Sequence, residues 1–215
     1  MKRHLVVLIL LAAAASACSA QMVRGWGVEG GATGAFQILS VTTPPVSPTL
    51  PRVLRWGFSA GAFVEFLNMP TLSLVLESAY AQKGRTVSAA EAAESVHQVP
   101  GLSAGPAGAA PRLDYVHIAM LVKLRAGRAG FVPYGAIGPR FAFLVGKADD
   151  PAKVFDNVKK SDVGATIAAG IEIVTHRSPI LSIEGRWSPS FSRAFSAPSL
   201  TIRNQSVDVL LLLWL

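Results

Sequence analysis

The strongest constraint on this chain is an alternation of apolar and polar side chains with period two, running from about residue 24 to the last residue. Its clearest stretch sets Val163, Ala165, Ile167, Ala169, Ile171 and Ile173 against Asp162, Gly164, Thr166, Ala168, Gly170 and Glu172. Successive side chains of a β-strand point to opposite faces, so this stretch builds a strand with one greasy and one polar face. The apolar face is too continuous, and the polar face too charged, for an ordinary half-buried sheet. The pattern fits a closed barrel with its apolar side toward lipid and its polar side inward. In hydrocarbon only closure pairs every backbone donor and acceptor.

Eight strands are predicted, over residues 24–38, 54–67, 71–84, 112–126, 131–146, 162–175, 179–192 and 200–215. Their connections alternate in length. Thr42–Arg52, Arg85–Pro111 and Lys147–Ser161 are extended, whereas Asn68-Met69-Pro70, Gly127-Arg128-Ala129-Gly130 and His176-Arg177-Ser178 are tight, and Arg193–Ser199 is intermediate. Bacterial outer-membrane barrels have short periplasmic turns and long external loops, and an even strand count leaves both termini on the periplasmic side. The expected fold is therefore all-β, an eight-stranded antiparallel up-and-down transmembrane β-barrel. Pro139 falls inside the fifth strand, where it removes a ladder donor, and a bulge is expected there. The alternation also slips between Arg203 and Ser206, as if the last strand entered the membrane at that point.

Residues 1–20 read as a signal peptide, and residues 21–215 as the barrel domain. Lys2 and Arg3 precede an apolar stretch from Leu5 to Ala15, and small residues allow cleavage after Ala17 or after Ala20. Cys18, the only cysteine, also fits the end of a lipoprotein signal, although position 15 holds Ala where such signals usually carry Leu. In either case no disulfide framework or thiolate metal site is available to the mature body. Beyond the leader no apolar run reaches the ~18 residues of a transmembrane helix. The formal charge of +7 falls to about +5 without Lys2 and Arg3. An exported basic chain is expected to meet anionic headgroups of outer-membrane lipid and lipopolysaccharide, not nucleic acid.

The alternation assigns faces. Trp56, Phe58, Ala60, Ala62, Val64 and Phe66 point to lipid, as do Val116, Ile118, Met120, Val122, Leu124, Leu181, Ile183, Val207, Val209, Leu211, Leu213 and Leu215. Trp56, Phe131, Trp187 and Trp214 lie toward strand ends and are expected at the membrane interface. The inward face carries Glu29, Glu65, Glu77, Glu172 and Glu184 with Lys123, Arg125, Arg140 and Arg186. An eight-stranded barrel is just wide enough for side chains to fill it. These charges are therefore expected to form a plug of ion pairs instead of a conducting path.

Little else in the chain carries chemistry. His176-Arg177-Ser178 invites comparison with lipid-A deacylases, in which a His general base activates a Ser. The topology places it at a periplasmic turn, away from the outer leaflet, so it reads as a polar turn before Pro179. Asp149, Asp150 and Asp156 lack metal-loop spacing and sit among Lys147, Lys153, Lys159 and Lys160, as a solvated charged loop does. The glycines, Gly30-Gly31 included, fall at strand positions and form no phosphate loop. No zinc, haem or dinucleotide signature is present, and no cofactor is expected.

Several segments resemble the outer-membrane β-barrel domain family, the PorT-like and OmpX-like small eight-stranded barrels. Tyr115-Val116-His117-Ile118-Ala119-Met120-Leu121-Val122-Lys123 is similar to the family strand Tyr-Leu-Glu-Ile-Pro-Leu-Leu-Leu-Lys. Pro133-Tyr134-Gly135 with Gly138-Pro139 looks like its next strand, and Glu77–Gly84 like its Tyr-x-x-Lys-Gly ending. Gly164–Glu172, Arg186-Trp187 and the aromatic-containing final strand also fit. His117 replaces the family's Glu, Ala119 its Pro, and Leu215 its terminal aromatic. The resemblance implies an outer-membrane barrel inserted by the barrel-assembly machinery of a Gram-negative-type bacterium, and transfers no catalytic residue. The expected role is structural or binding, not enzymatic, with the three long loops as a contact surface for an external ligand or protein. Two alternatives stand beside it. One is a lipid-modifying barrel enzyme of deacylase type; the other is a soluble periplasmic ligand-binding barrel, which would bury its apolar residues and expose its polar ones.

Overall fold

The computed structural model describes residues 23–41, 54–67, 69–84, 86, 112–148, 159–175, 178–192, 195–197 and 200–215. Residues 1–22, most of the three long connections, and His176 with Arg177 lie outside them. Eight long strands form the fold: β1 (Val23–Val41), β2 (Arg55–Phe66), β3 (Leu72–Gly84), β4 (Arg112–Arg125), β5 (Gly130–Ala148), β6 (Ser161–Thr175), β7 (Ser178–Pro189) and β9 (Leu200–Trp214). A three-residue strand, β8 (Phe195–Ala197), pairs with β9. From β1 to β7 each strand pairs antiparallel with its sequence neighbour; β7 pairs with β9, and β9 returns to β1. The sheet thereby closes on itself, and no long strand is left with a free edge. The tight turns gather at one end with the start of β1 and the end of β9, and the long connections leave from the other.

The face assignments follow the register. Ile167, Ile171 and Ile183 are exposed on the outer wall, while Glu172, Glu184 and Arg186 are buried within. Along β6 the outward apolar residues run from Val163 to Ile173. That stretch is about 33 Å of extended chain. Tilted by about 45° it rises roughly 23 Å, close to the ~25 Å apolar band of outer-membrane barrels. No charged side chain projects from this band among the described residues. This is the inverse of the arrangement expected of a soluble ligand-binding barrel.

Two local expectations are corrected. The bulge is not at Pro139. The β4–β5 ladder omits the pairs beside Pro139, yet Ala119↔Arg140 and Val122↔Ile137 keep one register across the gap. The proline therefore costs ladder bonds without adding a residue. The register shift in this pair lies between Asp114 and Tyr115, opposite Val145. Nor does the alternation slip in β9, whose register with β1 runs unbroken from Leu200 to Trp214. Asn204 and Ser206 are buried and Arg203 is exposed, so the polar outward residues mark strand that extends past the apolar band.

Small residues let the walls approach. A β-carbon on Gly31 would stand 2.0 Å from the Val209 carbonyl oxygen, across the seam that closes the barrel. One on Gly170 would meet the Tyr134 ring at 2.7 Å, because that ring lies across its cross-strand glycine.

Candidate functional site

The nine charged residues expected inside all face the axis, and each is at most 5% exposed. They are not one continuous network but three layers stacked along the barrel.

At the turn end, β4 supplies Lys123 and Arg125, two positions apart on one face. Lys123 Nζ pairs with Glu172, and Arg125 Nε donates to Glu172 Oε2 at 2.7 Å. Arg125 also pairs with Glu65 and donates to Ser73 Oγ at 2.8 Å. Arg24 reaches Glu65 at 3.3 Å. By parity Arg24 should point outward, but the β1–β2 register shifts between Val23 and Gly25, and a bulge of this kind re-aims one side chain. Lys123 Nζ lies 3.9 Å from the centroid of the Tyr134 ring and 5.0 Å from that of Trp214.

The middle layer centres on Arg186. Its Nη2 donates to Glu29 Oε2 at 2.8 Å, its Nη1 to Glu77 Oε1 at 3.0 Å, and its Nε pairs with Glu184 on the same strand. Tyr134 Oη donates to Glu184 Oε2 at 2.6 Å. A guanidinium presents a rigid fork of donors, so one Arg can hold three carboxylates from three strands in fixed places. His117 Nε2 lies 3.6 Å from Glu77 Oε1 on the side toward the loop end.

The layer nearest the loop end is looser. Arg140 Nη2 is 3.7 Å from Asp162, which also accepts from Ser190 and, at 2.5 Å, from Ser192. Thr33 donates to Asp208 at 2.5 Å, and Gln37 to Asn204 at 3.0 Å. Lys83 and Arg140 line a cavity of about 10 Å³ with His117, Ser59, Ser188 and Ser206. That is room for roughly one water molecule.

Sequence reasoning listed the acids and bases but did not pair them, and it missed part of the set. Alternation sets Asp162 and Asp208 on the polar face without counting them among the charges, and Lys83 follows the same parity as Glu77. Arg24 could not be found that way, because its bulge reverses the parity.

The four aromatics expected at the membrane interface do not all point the same way. Trp56, Phe131 and Trp187 are exposed on the outer wall. Trp214 is a correction: it turns inward and packs edge-on against Phe63 at 4.9 Å, under Lys123. With Leu211, Leu213 and Leu215 outward, parity leaves position 214 no other direction. Trp26, on β1 beside this end, is the exposed indole instead.

No sequence match to the chain is found among curated proteins. Crystal structures of small barrels cover most of it at low identity. Neisserial surface protein A is 10% identical, with 90% of this chain and 99% of that one covered and a TM-score of 0.44. OprG, an outer membrane protein of Pseudomonas aeruginosa, is 8% identical, with coverages of 91% and 97% and a TM-score of 0.46. Ail, the attachment invasion locus protein of Yersinia pestis, is 11% identical, with coverages of 88% and 99% and a TM-score of 0.37. The family model described as outer membrane protein beta-barrel domain matches residues 19–196. With that match spanning most of a chain that closes into an eight-stranded barrel, apolar outside and charged within, the protein belongs to the outer membrane protein beta-barrel domain family.

Proposed function

We propose that this outer-membrane barrel is a structural or binding protein, without catalytic activity, that presents Thr42–Arg52, Arg85–Pro111 and Lys147–Ser161 to the cell exterior. One observation supports the reading above the others. The lumen is crossed at three levels by interlocked side chains, and the cavity among Lys83, His117 and Arg140 admits about one water. Such a cylinder is a rigid mount and not a conduit, which leaves the loops as the variable surface. The residues around Arg186 are committed to one another inside the wall, out of reach of a macromolecular or lipid substrate. Export by the 1–20 leader and insertion by the barrel-assembly machinery complete the proposal.

Planar-bilayer recording and loop replacement test it together. The purified barrel should show no steady conductance. Replacing each long loop with a short Gly-Ser turn should leave heat-modifiable gel mobility intact while abolishing cell-surface binding to immobilised lipopolysaccharide. Stable ohmic channels, or binding that survives all three replacements, would overturn the reading. Intact mass reports the leader: a mature chain begins at Gln21, or at Cys18 with or without added lipid.

A further inference from the structure

The Arg186 layer carries a local imbalance, since three buried carboxylates, Glu29, Glu77 and Glu184, face a single guanidinium. Arg186 occupies only one oxygen each of Glu29 and Glu77. Glu29 Oε1 and Glu77 Oε2 are buried with no hydrogen-bond partner, and so is Nδ1 of the adjacent His117. All three residues are more than nine-tenths buried. One ligand atom from each lies within 4.8 Å of the other two. An unpaired polar atom in so dry a place costs free energy, and two uncompensated negative charges cost more. Of the cations in the next layer, Arg140 lies 3.7 Å from Asp162, and Lys83 lines a cavity with Asp208, its Nζ without a hydrogen-bond partner; neither forms an ion pair with Glu29 or Glu77 among the described residues.

We propose that Glu29, Glu77 and His117 form a binding site for one divalent metal ion inside the barrel. The charge fits: a dication cancels the surplus of two negative charges that Arg186 leaves. The donors fit as well. Two carboxylate oxygens and one imidazole nitrogen suit zinc, manganese or ferrous iron better than calcium or magnesium, which favour all-oxygen shells. The ligands come from β1, β3 and β4, and β1 does not pair with β3, so the ion would tie the wall together across the lumen.

The experiment uses the full mature barrel, folded in detergent, stripped with EDTA and titrated with Zn²⁺. One equivalent should remain after gel filtration by elemental analysis. X-ray absorption of that sample should show one imidazole in the zinc shell. Glu29→Gln and His117→Ala should each weaken binding at least tenfold, whereas His97→Ala should not change it. Heat-modifiable mobility confirms that each variant is folded, and His117→Gln substitutes if His117→Ala is not. A folded wild type that retains no zinc or manganese would overturn the proposal, leaving the surplus charge to protons. So would a zinc shell without imidazole, or equal binding by wild type and the Glu29→Gln variant.

Discussion

The middle layer makes a sharp energetic prediction through Arg186→Met. Methionine fills much of the same volume, so the change removes charge and donors more than it removes packing. Three carboxylates, none more than 5% exposed, then lose their shared partner. Removing one member of a buried pair costs about 3–5 kcal/mol, because the remaining charge stays desolvated. With an unfolding slope of about 2 kcal/mol per molar urea, the midpoint should fall by roughly 2 M. The assay is urea unfolding in phospholipid vesicles, followed by tryptophan fluorescence and heat-modifiable mobility. EDTA is included so that no cation substitutes for the guanidinium. Adding Glu29→Gln, Glu77→Gln and Glu184→Gln to Arg186→Met removes the stranded charges and should restore more than half of the loss. An unchanged midpoint for Arg186→Met would refute the reasoning, as would failure of the combined variant to recover.

Three further outcomes follow from other parts of the wall. Gly31→Ala should prevent closure and abolish the compact, heat-modifiable band, because its β-carbon meets the Val209 carbonyl at 2.0 Å; Gly30→Ala, whose nearest neighbour is at 3.7 Å, should fold normally. Leu211→Arg, on the outer face, should destabilise the barrel by about 2–4 kcal/mol in vesicle unfolding if hydrocarbon surrounds it there. Leu67 holds a left-handed backbone with φ of 62° in the β2–β3 turn. That conformation costs a non-glycine residue about 1–2 kcal/mol, so Leu67→Gly should stabilise by about 0.5–1 kcal/mol after glycine's own entropy is counted.

The sequence made the strands, their order and their faces legible, because period two is unusually clean in a wall that separates hydrocarbon from charge. Val163 to Ile173 shows this best: every outward residue there is apolar or small, and none could face both ways. What failed was local. Pro139 suggested an inserted residue, but a proline can cost ladder bonds without shifting register, and side-chain alternation cannot tell the two apart. Trp214 has the chemistry of an interface residue and lies near a chain end, yet parity points it inward. Arg24 was invisible for the opposite reason, since a bulge inverted its parity. The interior charges were legible as a set but not as pairs. Which acid meets which base depends on the stagger between strands, and that emerges only when β9 joins β1. The grouping of Glu29, Glu77 and His117 needs three strands in register, so no spacing in the sequence announces it.

The claim beneath all of this is that lipid meets the odd-numbered residues of β9 and the axis meets the even ones. With Cys18 removed, the chain has no other cysteine, so single nitroxide labels can be placed at each position from Val207 to Leu213 in vesicles. Oxygen, which concentrates in hydrocarbon, should collide most with labels at Val207, Val209, Leu211 and Leu213, and least at Asp208, Leu210 and Leu212. Maxima at the even positions, or a profile without alternation, would contradict the account.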